Sequence, residues 1–360
     1  MIYKSLLRHL LFKLEAEKAH DLTYSFAEFA SKSDFLKFVA NSIYHYRSPK
    51  LTQQVWGLNF RNPVGLAAGF DKNGKIPAIM EAIGMGFVEV GSITANSSTG
   101  NPKPRCFRLP DDEALINRMG LNNDGAKTIV KRLQNKEFSS PLGINIAKTH
   151  DPDIMGDEAI RDYIFSFQEA KKVADYITIN ISCPNTEEGK TFEDPTALRE
   201  LLDALELRDD ASIVPSLVKF SPDLSRDALL ELVEICENHR VHGYVVSNTS
   251  SDRSGLKTDQ SKLQKIGKGG LSGPPVAEKS IERIRWVSNA TKGQKPIIGV
   301  GGVNSFEVAL NMIQAGADLL QIYTGLVYEG PGLVKKINRG LVKFMEEHGL
   351  NSIHQIPQEK

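Results

Sequence analysis

The chain has 360 residues, 41% hydrophobic and 24% charged, with 44 basic side chains against 44 acidic ones and 3 cysteines. That profile belongs to an ordinary globular protein and excludes disorder, collagen, disulfide scaffolds and polytopic membrane proteins. Zero formal charge offers no clustered Lys and Arg for a phosphate backbone, so no nucleic-acid partner is expected. Cys106, Cys183 and Cys236 are widely spaced and form no CxxC pair, which points to a reducing compartment and away from structural zinc.

The first segment, MIYKSLLRHLLFKLEAEKAH, puts Leu6, Leu7, Leu10, Leu11 and Leu14 on one helical face. Its Lys4, Arg8, Lys13 and Lys18 outnumber Glu15 and Glu17. A second helical stretch carries Leu22, Phe26, Phe29, Phe35, Leu36, Phe38 and Val39. Two helices packed on a core would explain this pattern; so would an amphipathic pair that dips into a membrane surface or admits a greasy ligand. No apolar run is long enough to cross a bilayer, and there is no signal-peptide cleavage pattern.

From residue 58 the chain alternates short apolar runs with helical patterns. The runs are NPVGLAAG (62–69), GFVEVGSI (86–93), PLGINIA (141–147), DYITINIS (175–182), SLVKFS (216–221), HGYVVSN (242–248), PIIGVGG (296–302) and ADLLQIY (317–323). Near-continuous apolarity argues for parallel strands buried on both faces. Helical stretches fall at 75–83, 122–135, 157–173, 195–207, 224–239, 276–290, 305–315 and 331–347. Serial βα units without a half-and-half division predict a (β/α)8 TIM barrel with an N-terminal helical extension, rather than a doubly wound sheet. The connections 94–120 and 249–275 are long enough to be lids or binding loops.

Barrel chemistry sits where strands end. Those positions hold Asn117, Asn145, Asn180, Asn185 and Asn248, whose amides both donate and accept. Each alone reads as a turn residue; together they suit a ring edged with C=O and N–H groups, such as a pyrimidine or flavin. Lys72 and Lys219 adjoin apolar strands, where lysines hold anions, form Schiff bases or pair with carboxylates. Gly301-Gly302, followed by Asn304-Ser305 at a helix start, and the loop Gly269-Gly270-Leu271-Ser272-Gly273 suit a phosphate. Phosphate plus a polar ring makes a nucleotide cofactor, and FMN is favoured over NAD because the Rossmann fingerprint is missing. A metal is not expected: His239 and His242 sit at a helix end, where capping explains them, and Asp111-Asp112-Glu113 reads as a solvated turn. A Schiff-base aldolase and a non-catalytic flavin or pyrimidine carrier are the readings of other classes.

The motifs AAGFDKNG, PKPRCFRL, INRMGLNNDG, INISCPNT, VKFSPDLS, VSNTSSDR, GGLSGPP, PIIGVGGV and LLQIYTG, in this order, closely resemble the dihydroorotate dehydrogenase family across nearly the whole chain. The N-terminal helices and the EAEKAH segment resemble its membrane-associated, quinone-reducing class 2 branch. The resemblance implies oxidation of dihydroorotate to orotate in pyrimidine (UMP) synthesis, with hydride passed to FMN and electrons then to a membrane quinone. It implies FMN contacts at Ala68, Gly69, Phe70, Asp71, Lys72, Ser92, Asn145, Asn180, Lys219, Ser247, Gly273, Gly302, Tyr323 and Thr324. Substrate contacts would come from Lys72, Asn117, Asn180, Asn185, Asn248 and Thr249, with Arg118, Met119, Gly120 and Leu121 shaping the wall. His20, Arg108 and Tyr323 match the quinone tunnel.

By motif position the general base is Cys183, where class 2 members usually carry serine. A free thiol, with a pKa near 8.5, ionises closer to neutrality than a hydroxyl. Two loops also depart from the family pattern: TPxPQ is here Thr94-Ala95-Asn96-Ser97-Ser98, and PNTPGLR is Pro184-Asn185-Thr186-Glu187-Glu188-Gly189-Lys190. Fumarate or another soluble acceptor, or a different FMN-dependent barrel oxidoreductase, is the alternative. The expected organisation is a membrane and quinone-access segment at 1–48, an FMN barrel at 49–350 and a tail at 351–360, in a monomer on the cytoplasmic face of a bacterial inner membrane.

Overall fold

A computed structural model of the chain describes residues 3–182, 191–207 and 214–358. Within each apolar run lies one strand: β1 (Val64–Leu66), β2 (Val88–Ile93), β3 (Leu142–Ile146), β4 (Tyr176–Asn180), β5 (Ser216–Phe220), β6 (Gly243–Val246), β7 (Ile297–Val300) and β8 (Leu319–Ile322). They pair in parallel in chain order, and β8 closes on β1 with Leu320 opposite Val64 and Ile322 opposite Leu66. The predicted (β/α)8 barrel is therefore the observed architecture. Every strand residue is buried except Ser92, which is half-buried at the upper end of β2.

Strand alternation divides the core in two. Ile177, Val218, Tyr244, Val246 and Leu320 face outward into the layer beneath the helices. Phe87, Tyr176, Leu217, Val245, Ile298 and Leu319 face into the barrel with Phe60. Phe60 belongs to a hairpin, Gln53–Val55 with Leu58–Phe60, that plugs the barrel's lower end. A side chain at Gly143 would collide with the Tyr176 ring at 2.2 Å, so the small residue makes room for the large one. Above this aromatic layer the buried barrel positions become polar: Glu89, Asn145, Thr178, Lys219 and Gln321. That change of layer places a polar floor at the strands' C-terminal ends.

The two long connections are structured, and they pair with each other. Cys106–Leu109, Ala114–Asn117 and Gly270–Ser272 form a three-stranded antiparallel sheet over a small core of its own. Asp112 secures the far connection by accepting the N–H groups of Lys257 at 2.7 Å and Thr258 at 3.0 Å.

Ahead of the barrel come α1 (Arg8–Lys13), α2 (Ala16–Ser31) and α3 (Asp34–Tyr44). The second predicted stretch is thus two helices, divided where Ser33 caps α3 by accepting the N–H of Leu36. α2 turns its small residues, Ala19, Ala27 and Ala30, toward the barrel and leaves Leu22, Phe26 and Phe29 exposed. The segment 351–360, expected as a tail, is packed over its described part. Ser352 caps the short turn Ile353–Gln355, and Ile353 and Ile356 are buried in the main core.

Candidate active site

The polar floor opens into a cleft at the strands' C-terminal ends. Of the expected cofactor residues, Ala68, Gly69, Lys72, Ser92, Asn180, Lys219, Ser247, Gly273, Gly302, Tyr323 and Thr324 line it. So do the expected substrate residues Asn117, Met119, Gly120, Leu121, Asn248 and Thr249. Cys183 and Asn185 lie outside the described residues.

Hydrogen bonds link the floor residues into a chain. Ser92 Oγ donates to Asn145 Oδ1, Asn180 Nδ2 donates to Ser92 Oγ at 3.3 Å, and Asn248 Nδ2 donates to Asn180 Oδ1 at 3.3 Å. Asn248 Nδ2 also reaches Ser182 Oγ at 3.1 Å. Lys72 donates to Gly69 O at 2.7 Å, and burial holds its ammonium below the ordinary lysine range. Burial also raises the Tyr323 phenol. Cys106 borders Lys72 and Tyr323, and burial pushes its thiol up to about 11, so it stays a neutral packing group.

Several expected residues do other work. Asp71 is fully buried; its carboxylate accepts the N–H groups of Asn73, Lys75 and Ile76 and the Tyr24 hydroxyl at 2.7 Å. It therefore shapes the loop that carries Lys72 and does not line the cleft. Phe70 lies behind the cleft wall, edge-on to Tyr323 at 5.3 Å and to His20 at 5.5 Å. Arg118 turns outward to the carbonyls of Ile266, Lys268 and Pro104 and stacks over Phe107, leaving the wall to its neighbours. Asn145 sits one shell below the lining, behind Ser92. Of the glycine loop at 269–273, Gly270–Ser272 is a sheet strand, and only Ser272 and Gly273 reach the cleft. Ser305 caps the helix Phe306–Gln314 with its own side chain, so the cleft meets the preceding turn, Gly301 to Val303, and not the helix end.

The expected quinone residues divide. His20, Phe70 and Tyr323 form a line of rings from α2 to the cleft. Burial lowers the His20 imidazole, and its Nε2 is buried without a hydrogen-bond partner. Arg108 belongs to the α1–α2 junction: its guanidinium donates to the carbonyls of Leu11 and Leu14 and covers the Phe12 ring.

Residues that the motifs did not single out complete the arrangement. Glu17, nearly fully buried, accepts from Arg105 Nε at 3.0 Å and lies 2.9 Å from Nη2. Arg105 Nη1 donates to Thr99 O at 2.6 Å and Asn101 O at 3.1 Å. Glu89 and Gln321 lie in the barrel floor. A charged residue inside V-E-V, like the lysine in VKF, is the sequence signal that would have found Glu89.

A closed βα barrel with a polar, glycine-edged cleft above its strands is an enzyme site of the nucleotide-cofactor type. The chain belongs to the dihydroorotate dehydrogenase (DHODH) family, whose model matches residues 50–345. A protein named dihydroorotate dehydrogenase (quinone) from Gloeobacter violaceus is 41% identical over 350 residues, covering 97% of each chain. One of the same name from Christiangramia forsetii is 38% identical, covering 95% of this chain and 99% of its own. The crystal structure of ligand-free DHODH from Eimeria tenella superposes with a TM-score of 0.84 at 30% identity, covering 95% of this chain and 98% of that one.

Proposed function

We propose that the protein oxidises dihydroorotate to orotate, using FMN, and returns the electrons to a membrane quinone. The observation that carries this reading is the cleft itself, which gathers the family's cofactor and substrate motifs from seven barrel strands and both long connections. Two local features fit FMN. Gly301 and Gly302 both have positive φ, and a side chain on Gly302 would meet Ala277 at 2.6 Å, so this turn is kept bare for a close approach such as a phosphate makes. Gln321 lines the cleft and has a buried Oε1 without a partner, an acceptor suited to a ring N–H.

Bound FMN would take hydride from the substrate ring and later release two electrons to the acceptor. Ala68, Gly69, Lys72, Ser92, Asn180, Lys219, Ser247, Gly273, Gly302, Tyr323 and Thr324 would hold it, with Asn145 behind Ser92. Lys219, buried near the end of β5, would supply positive charge to offset the negative charge of a reduced flavin ring. Lys72, Asn117, Asn180, Asn185, Asn248 and Thr249 would orient dihydroorotate, and Cys183 would take the proton from the carbon alpha to the carbonyl.

Membrane contact is supported by the inverted packing of α2, with alanines inward and large side chains outward. Basic residues of the first segment would meet anionic lipid on the cytoplasmic face of a bacterial inner membrane. Residues 1–48 then form the quinone-access segment of a monomer, and 49–350 the flavin barrel, against which 351–360 packs.

Anaerobic addition of dihydroorotate to the purified protein tests this reading. Flavin absorbance should bleach and recover on adding a ubiquinone analogue, and Cys183→Ser should move the pH profile of bleaching. Failure to bleach would refute the activity, an unmoved profile the base, and recovery with fumarate alone the acceptor.

A further inference from the structure

The barrel floor contains a carboxylate that the chemistry above does not use. Glu89 on β2 is fully buried, and its two oxygens accept from Gln321 Nε2 at 2.7 Å, Asn145 Nδ2 at 2.9 Å, and Tyr176 OH and Thr178 Oγ1 at 3.1 Å each. All four partners are neutral, so no cation among them offsets the cost of removing a charge from water. A glutamine would fill the same space without that cost. The property a carboxylate has and a glutamine lacks is that it can only accept.

That single property runs through the floor. Because Glu89 cannot donate, Asn145 must turn its Nδ2 toward it, which leaves Oδ1 for Ser92. The Ser92 proton is then committed to Asn145, so Ser92 meets Asn180 through a lone pair and takes its Nδ2. Asn180 Oδ1 is left to accept from Asn248. On the other side, Gln321 gives Nε2 to Glu89, and its Oε1 is the buried acceptor without a partner. A reversed amide anywhere along this chain would set donor against donor or acceptor against acceptor.

We propose that Glu89 is the positioning residue that fixes amide orientation in the cleft, so that Asn180 keeps an N–H and Gln321 keeps a C=O for the edge of the bound ring. Glu89 touches no ligand and acts through Asn145 and Gln321. The proposal rests on the flavin reading, and the experiment separates the two.

Flavin-stripped full-length protein is titrated with FMN, followed by quenching of flavin fluorescence, for wild type, Glu89→Gln, Asn145→Ala and the double variant. Glu89→Gln, which can donate and so lets the chain reverse, should weaken FMN at least about tenfold with an unchanged far-UV circular dichroism spectrum. It should also shift the midpoint potential of the bound flavin. In the Glu89→Gln background, Asn145→Ala should cost much less than it does alone, because both changes break one chain. Unchanged FMN affinity in Glu89→Gln, or additive losses in the double variant, would overturn the role of Glu89. Wild-type protein that takes up no FMN would instead overturn the flavin reading beneath it. Should Glu89→Gln not fold, Asn145→Asp sets two acceptors face to face; the same weakening is expected, and undiminished FMN binding would sink the proposal.

Discussion

Glu193 shows how one half-buried side chain sets a pH dependence. Burial pushes its carboxyl up to about 7, and the neighbouring Asp223 charge adds to the rise, against a hydrogen bond from Ser221 N at 3.1 Å. Between its ordinary value near 4.5 and about 7, the native state holds a proton that the unfolded chain has released. Native protein therefore binds more protons, and this contribution to stability declines as pH rises through that window. His20 acts with the opposite sign: burial lowers its pKa, so its contribution declines as pH falls below the ordinary value of 6.5. Urea midpoints for wild type and Glu193→Gln, compared across the window, isolate the first effect because His20 is common to both. The wild-type advantage should shrink from pH 4.5 to pH 7, and parallel curves would refute the protonated carboxyl.

At the scale of elements, α2 is wired into the site at two points. Tyr24 donates to Asp71, which shapes the Lys72 loop, and Glu17 pairs with Arg105, which gathers the carbonyls of the 94–120 connection. Glu17→Ala would strand Arg105 as a buried, unpaired cation, at a cost of roughly 3–5 kcal/mol. It should also raise the dihydroorotate KM, because Arg105 Nη1 lies 3.4 Å from the carbonyl of Met119 on the cleft wall. Denaturant unfolding and steady-state kinetics would measure both, and a loss below about 1 kcal/mol would show the pair to be solvated like a surface bridge. These couplings were not legible in the sequence. The eight parallel strands were, because a strand buried on both faces writes its burial as an unbroken apolar run. The antiparallel sheet joins Asn117 to Gly270, and no local pattern records a pairing at that separation. Glycines at 269 and 270 look like a phosphate loop for the same reason that they serve the start of an edge strand: both uses need bare backbone, and a side chain on Gly269 would meet the Asn117 carbonyl at 2.8 Å. Asparagines at strand ends were readable as a group, whereas Asp71 and Arg118, polar residues in the same loops, are spent on backbone groups: Asp71 on the N–H groups of Asn73, Lys75 and Ile76 just ahead of it, and Arg118 on carbonyls of Pro104, Ile266 and Lys268 that only the folded chain brings near.

Across the whole molecule, balanced charge conceals a segregated surface. Among the described residues, the exposed large apolar side chains fall between Leu6 and Ile43, Met155 excepted, with Phe35 71% and Phe38 70% exposed. No helix among the described residues is long and apolar enough to cross a membrane. Deleting residues 1–48 would remove the face, but it would also remove Glu17 and Tyr24 and so disturb the substrate side of the barrel. The deletion should therefore slow both half-reactions and cannot separate them. Phe35→Glu with Phe38→Glu is the cleaner change, because both side chains point to solvent and neither belongs to the site. Its stability should stay within about 0.5 kcal/mol of wild type, as for other surface substitutions. Bleaching by dihydroorotate should be unaltered, while co-sedimentation with anionic vesicles and turnover with a long-chain quinone in those vesicles both fall about tenfold or more, given two apolar side chains withdrawn from lipid. A short-chain, water-soluble quinone should still reoxidise the flavin at the wild-type rate. If that quinone slows equally, the two phenylalanines act on the electron path itself and the membrane reading of this face fails.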